Sequence, residues 1–245
     1  MFVPFVDLKA QYASLKDEFD AAVLGVLADT AFVAGGRAAK FEQEFAAYIG
    51  AGHCVAVANG TDAIEIALAA LGIGPGDEVI LPANTFIATA EGVSNVGATP
   101  VFADIDPATY NIDPTSLAER ISPRTKAIIA VHLYGLPCDM DAITAIARDN
   151  RLLLVEDCAQ AHGAKYKGRT VGTFGDAATF SFYPSKNLGA FGDAGAIVTN
   201  SKETADRART IANHGQPEKN RHTIDRKSTR LNSSHIPLSR MPSSA

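Results

Sequence analysis

Short apolar runs alternate with amphipathic helical stretches along most of this 245-residue chain, and that alternation restricts the folds open to it. Residues 54–58, 78–82, 100–104, 126–131, 152–157 and 196–200 read as buried strands. Residues 62–71, 85–96 and 139–150 carry helical patterns between them. Two further helices are expected earlier, over 12–29 and over 38–50, the second ending at Gly50. Strands that are apolar throughout, rather than on alternate positions, belong in a sheet covered on both faces. The pattern therefore predicts an α/β domain with a mainly parallel central sheet. In such sheets ligands collect outside the carboxyl ends of the strands, which is where chemistry is to be sought.

Composition excludes several function classes. The formal net charge is −5, which gives no electrostatic footprint for nucleic acid. Cys54, Cys138 and Cys158 lie far apart and no CxxC occurs, so neither a zinc site nor a disulfide framework is expected. The six histidines have no metal-like spacing. The opening MFVPFVDLKAQY has an apolar run too short for a signal peptide, and no run reaches membrane-spanning length. A cytoplasmic protein is expected. No S-x-x-K, G-x-S-x-G or strand-to-helix G-x-G-x-x-G occurs, so serine hydrolase and dinucleotide-binding readings have no support.

Two strand ends and one loop carry the candidate chemistry. The run RLLLVEDCAQAHGA ends a strand at Glu156-Asp157, where a carboxylate would meet a ligand or simply cap the next turn. Lys186 follows in FSFYPSKNLGAFGDAGA, with glycines at 189, 192 and 195 leaving little bulk around it. An isolated lysine here would be a surface residue. Paired with Asp157 it matches what pyridoxal phosphate requires, a Schiff-base amine and an acid that keeps the ring nitrogen protonated. A phosphate would suit the strand-to-helix turn Asn59-Gly60-Thr61-Asp62, where free amides at a helix start face outward. Plain capping by Thr61 or Asp62 would explain the same residues. Asp62, being anionic, is assigned a backbone role only, and Ser181 is a second hydroxyl candidate.

The order NGTD, PANTFIAT, EDCAQAHG and SFYPSKNLGAFGDAG, together with VPFVDLKAQY and VHLYG, resembles the DegT/DnrJ/EryC1/StrS sugar aminotransferases over about residues 3–224. The resemblance implies the three-layer large domain of a fold type I pyridoxal 5'-phosphate enzyme. It also implies amination of a keto group on a nucleotide-linked sugar, with L-glutamate as donor, in a homodimer that binds neither nucleic acid nor membrane. Lys186 would carry the cofactor and shuttle the proton, and Asp157 would pair with the ring nitrogen. Gln160 would bond the phenolic oxygen, Phe86 would stack on the ring, and Gly60, Thr61 and Ser181 would hold the phosphate, with Tyr183 beside the substrate. Some dehydrating relatives have histidine at the lysine position, so Lys186 implies transamination. Tyr183 with Ser185 implies amination at sugar C3 over C4. A non-catalytic cofactor-binding fragment or regulator of the same family is the alternative.

The resemblance ends near Asp225. Residues 225–245 hold six serines and a net charge of +3, with no usable periodicity. Such a tail could be a disordered interaction arm. It looks more like translated adapter or frame-shifted sequence, and the expected organisation is a cofactor domain over 1–224 and a disordered, non-native tail over 225–245. The family's C-terminal small domain, including a G-x-N-x-R segment, is expected to be missing.

Overall fold

The computed structural model describes residues 6–30, 32–33, 35–218 and 221–224, so the expectation for 225–245 lies outside the described residues. The N-terminal part holds α1 (Leu8–Ser14), α2 (Lys16–Asp29), α3 (Gly36–Ile49), β1 (His53–Val57) and α4 (Gly60–Ala70). There follow β2 (Glu78–Pro82), α5 (Ala88–Asn95), β3 (Thr99–Ala103), α6 (Pro114–Glu119), β4 (Thr125–Val131), α7 (Met140–Asn150) and β5 (Leu153–Asp157). The rest holds the small hairpin β6 (Lys165–Tyr166) and β7 (Arg169–Thr170), then β8 (Ala177–Ser181), β9 (Gly195–Thr199) and α8 (Lys202–Ala212).

Seven strands form one sheet in the order β1-β9-β8-β5-β4-β2-β3. From β8 to β3 every pairing is parallel, and β9 runs antiparallel to both of its neighbours. Six of the seven strands therefore point the same way, and their carboxyl ends share one edge. Period-2 alternation divides the core between the two sheet faces. Val79, Leu81, Ala127 and Ile129 pack with Ile64, Leu68 and Val93 of α4 and α5, while Ile80, Ile128 and Ala130 pack with Leu117, Met140 and Ile143 of α6 and α7. Beneath β1, β8 and β9 the same division puts Val55, Val57 and Ile197 against α4 and α8, and Cys54, Phe180 and Val198 against Phe41, Phe45 and Ile49 of α3. Each Ile, Leu or Val buried this way contributes roughly 1.5–3 kcal/mol, which is why both faces need helices.

The expected α/β architecture with three layers is the observed one. Differences lie at element ends. The helix expected over 12–29 is two helices, broken at Leu15 (φ −128°, ψ 20°), whose amide bonds to the Tyr12 carbonyl at 3.2 Å. Apolar spacing runs unbroken through Tyr12, Leu15 and Phe19, so periodicity alone could not register a one-residue break. The helix expected from 85 begins at Ala88, after a turn that faces the site. Strand β8 and helix α8 were not anticipated. The first is a small, hydroxyl-rich AATFS, and the second buries only Thr204, Ala205 and Ala208.

Candidate active site

A cavity of about 420 Å³ lies outside the shared strand edge. It is lined from the ends of β1, β2, β4, β5 and β8 and from the start of β9, by Gly60, Thr61, Phe86, Asp157, Gln160, Ser181, Tyr183 and Lys186 among others. Asp62 is the one sequence-derived candidate that does not line it.

The start of α4 shows why. Asn59 is the cap, and its side chain accepts from the Asp62 amide at 2.8 Å. The alternative of capping by Thr61 or Asp62 is therefore corrected: the helix begins two residues earlier than its apolar pattern, at Gly60. Asn59 also takes the Ala63 amide on its carbonyl, which leaves the Gly60 and Thr61 amides as the first-turn donors at the cavity. A Cβ at Gly60 would meet the Ser181 Cβ at 2.7 Å, so only glycine lets the helix start lie against the end of β8. The buried Ser181 hydroxyl accepts from the Tyr183 amide at 3.4 Å, leaving its own proton to donate. Two amides, one hydroxyl and a helix N-terminus form an anion cradle.

Lys186 is set by a turn. Pro184 stands second in Tyr183-Pro184-Ser185-Lys186, and the Lys186 amide bonds to the Tyr183 carbonyl at 2.8 Å. The loop then folds back on itself, with the Ala190 amide on the Phe182 carbonyl at 2.7 Å and the Phe182 amide on the Ala194 carbonyl at 2.8 Å. A Cβ at Gly189 would strike the Pro184 carbonyl oxygen, so the fold-back requires that glycine. The lysine side chain is half-buried in the cavity wall.

Glu156 and Asp157 leave β5 on opposite faces. Glu156 accepts from His132 Nε2 at 3.1 Å and from the amides of Gly172, Phe174 and Gly175 at 2.7–2.9 Å. His132 Nδ1 accepts from the Cys138 amide, so Nε2 carries the proton given to Glu156. Burial pushes the Glu156 carboxyl up, but the His132 bond and the backbone amides outweigh it and hold the group below the usual carboxylate range. Its acceptor capacity is spent. Asp157 accepts from the Thr89 hydroxyl at 2.9 Å and the Ala159 amide at 3.1 Å, and burial dominates, raising its carboxyl above the ordinary value. Nearby Lys186 and His132 act in the opposite direction. An acid held this way gains from a cationic partner in the cavity.

Gln160 Oε1 accepts from the Tyr134 amide at 2.7 Å. That bond fixes the amide orientation and leaves Nε2 as the donor available to the cavity. Tyr134 is itself in the left-handed region (φ 53°), a conformation that costs on the order of 1 kcal/mol in a non-glycine residue. Phe86 is 68% exposed, an open aromatic face and not a core side chain. Tyr183 is also exposed at the rim. The structure thus brings the lysine, the acid, the anion cradle, the amide donor and the aromatic face to one cavity. It adds Thr85, Thr89, His132 and Asp193, which were not singled out from sequence. Thr85 and Thr89 stood within PANTFIAT, and their four-residue spacing was the available signal.

The sequence model of the DegT/DnrJ/EryC1/StrS aminotransferase family matches residues 13–234. A "Pleiotropic regulatory protein" of Geobacillus stearothermophilus is 50% identical over 91% of this chain and 60% of its own length. The UDP-N-acetyl-3-dehydro-alpha-D-glucosamine 3-aminotransferase of Acidithiobacillus ferrooxidans is also 50% identical, over 91% of this chain and 60% of its own. The crystal structure of S. venezuelae DesV in complex with a ketimine intermediate matches with a TM-score of 0.91 and 47% identity, covering 96% of this chain and 64% of that one. The chain spans about 60% of the length of the curated relatives it matches.

Proposed function

The chain belongs to the DegT/DnrJ/EryC1/StrS aminotransferase family, and from that membership we propose that its whole protein is a pyridoxal-phosphate-dependent aminotransferase acting on a nucleotide-linked keto-sugar. The observation that carries the reading is the convergence of Lys186, Asp157 and the Gly60–Ser181 cradle on one cavity. The donor set fits the cofactor group by group. The amides of Gly60 and Thr61 with the Ser181 hydroxyl match a phosphate, Asp157 a pyridinium nitrogen, Gln160 Nε2 a phenolic oxygen, and Phe86 an aromatic ring face.

When bound, pyridoxal phosphate supplies an electron sink that makes a proton on the carbon bearing the amino group removable. The chain's own residues supply the rest. Asp157 would keep the ring nitrogen protonated, because a buried carboxylate is stabilised by an opposite charge beside it. Lys186 Nζ would hold the cofactor and, when not holding it, would be the amine placed to accept and return the proton. The cradle fixes the phosphate, so that the proton moves between atoms already in reach.

We place the amination at sugar C3, with L-glutamate as donor and 2-oxoglutarate as product; a 3-aminotransferase among the relatives supports the position. We also propose a homodimer, a cytoplasmic site of action, where the free Cys54, Cys138 and Cys158 would persist, and a cofactor domain over 1–224 with 225–245 outside it. Among the described residues no helix is long and apolar enough to cross a membrane. The non-catalytic alternative is not favoured, because both chemical groups line the cavity. The test is conversion of a nucleotide-linked 3-keto-sugar with glutamate by a protein extended to the relatives' length. Formation of the 3-amino sugar with 2-oxoglutarate is expected, and cofactor uptake with no amination of 3- or 4-keto-sugars would reject the reading.

A further inference from the structure

Thr89 is buried at 1% exposure, and its hydroxyl donates to Asp157 Oδ2 at 2.9 Å. Its oxygen lies 2.8 Å from the hydroxyl oxygen of Thr85, on the cavity wall. A threonine hydroxyl has one proton. While Asp157 is ionised, Thr89 gives that proton to it, so Thr85 must donate to Thr89 and the direction of the chain is fixed. The two threonines are four residues apart on one side of the turn that opens α5. Phe86 lies between them, its carbonyl accepting the Thr89 amide at 3.1 Å. One turn therefore presents the exposed aromatic face and grips the buried acid. The titratable groups near Asp157 are His132 at the end of β4 and Lys186 from the loop after β8, which both favour its charge, and the buried Cys138 and Cys158, whose ionisation it disfavours; burial opposes its charge.

We propose that Thr89, backed by Thr85, is a positioning residue whose hydroxyl holds Asp157 in its ionised form; the purpose of that charge rests on the cofactor reading above. Bonds to a charged acceptor are the strong ones, and among the described residues Asp157 receives only one other, from the Ala159 amide.

The experiment compares Thr89→Val, which removes the hydroxyl at similar volume, with Thr89→Ser, which keeps it. The first reading is the melting temperature of ligand-free protein from pH 4 to pH 8. The Asp157 carboxyl already titrates above its ordinary value, and losing a donor raises it further, so stability falls more steeply as pH rises above the usual carboxylate range. Thr89→Val should melt closest to the parent near pH 4 and diverge as pH rises, while Thr89→Ser follows the parent. The second reading is titration with pyridoxal phosphate at pH 7, where Thr89→Val should bind about tenfold more weakly or worse, the equivalent of one bond to a charged group. An offset constant at every pH, or no restoration by serine, would make the hydroxyl a packing feature and overturn the proposal. If Thr89→Val does not fold, Thr85→Val is read in the same assays, and a profile identical to the parent's overturns it equally. The pH divergence without any cofactor uptake by the parent would support the relay and contradict the cofactor reading, so the two failures are distinct.

Discussion

Glu156 and Asp157 are chain neighbours whose surroundings assign them opposite tasks. Four donors saturate Glu156 and pin residues 172–175 beneath the sheet, whereas Asp157 faces the cavity with two. Replacing Asp157 by Asn keeps the shape and removes the charge. Cofactor should still bind, and amination in the full-length protein should fall about a hundredfold or more, a loss of several kcal/mol of electrostatic stabilisation. Near-normal turnover would make Asp157 a turn cap. His162 gives a second residue-scale prediction. Its ring packs at 5.4 Å and 5.5 Å from the Phe180 and Phe182 rings, and neither nitrogen has a hydrogen-bond partner among the described residues. Burial pushes the imidazole down to about 4, with nearby Asn187 and Ser181 acting in the opposite direction and Lys186 in the same one. A depressed histidine leaves the unfolded chain binding the extra proton. Stability should fall as pH drops from about 6.5 towards 4, by roughly 3 kcal/mol at most, and His162→Phe should lose that slope in urea unfolding at several pH values. Identical slopes would place the histidine in water.

At the scale of elements, the loop from Phe182 to Ala194 is closed by its own backbone bonds and held from outside through Phe191. That ring lies 4.9 Å from Phe19 of α2 and 6.1 Å from Tyr12 of α1, both edge-on. The helix pair thus braces the loop that carries Lys186. Phe191→Ala should cost roughly 1–2 kcal/mol of stability. It should weaken pyridoxal phosphate binding by more than Leu24→Ala, a change at an exposed position of α2. Equal effects in a fluorescence titration would show that the brace does not reach the lysine. Edge strand β1, beside β9, has a comparable tie, where Glu42 of α3 accepts the Ala56 amide at 2.9 Å and pairs with Arg209 of α8. Neither tie was legible in the sequence, because each joins side chains far apart in the chain through contacts that only the folded sheet order creates. The Y-P-S-K turn, the Gly50 helix end and the apolar strands were legible, since each depends on neighbours within a few residues. Thr85 and Thr89 fall between these cases. Their spacing was visible, but their acid partner depends on β2 and β5 both flanking β4.

For the molecule as a whole, five of the six co-directional strands, with the start of β9, deliver residues from positions 59 to 194 to a single edge, and that convergence explains one cavity with five kinds of contact. The fold class was readable from strand–helix alternation alone. The strand order was not, because β9 reverses direction and β8 has no apolar run to announce it. That Lys186 and Asp157 share one cavity was readable because one cofactor chemistry uses a strand-end acid and a glycine-flanked lysine together, though each alone is an ordinary residue. The most direct measurement is borohydride treatment of the protein with pyridoxal phosphate, followed by peptide mapping. The account predicts a single pyridoxyl group on the peptide containing Lys186, absent in Lys186→Ala. Label on another lysine, or label undiminished in that variant, would contradict it.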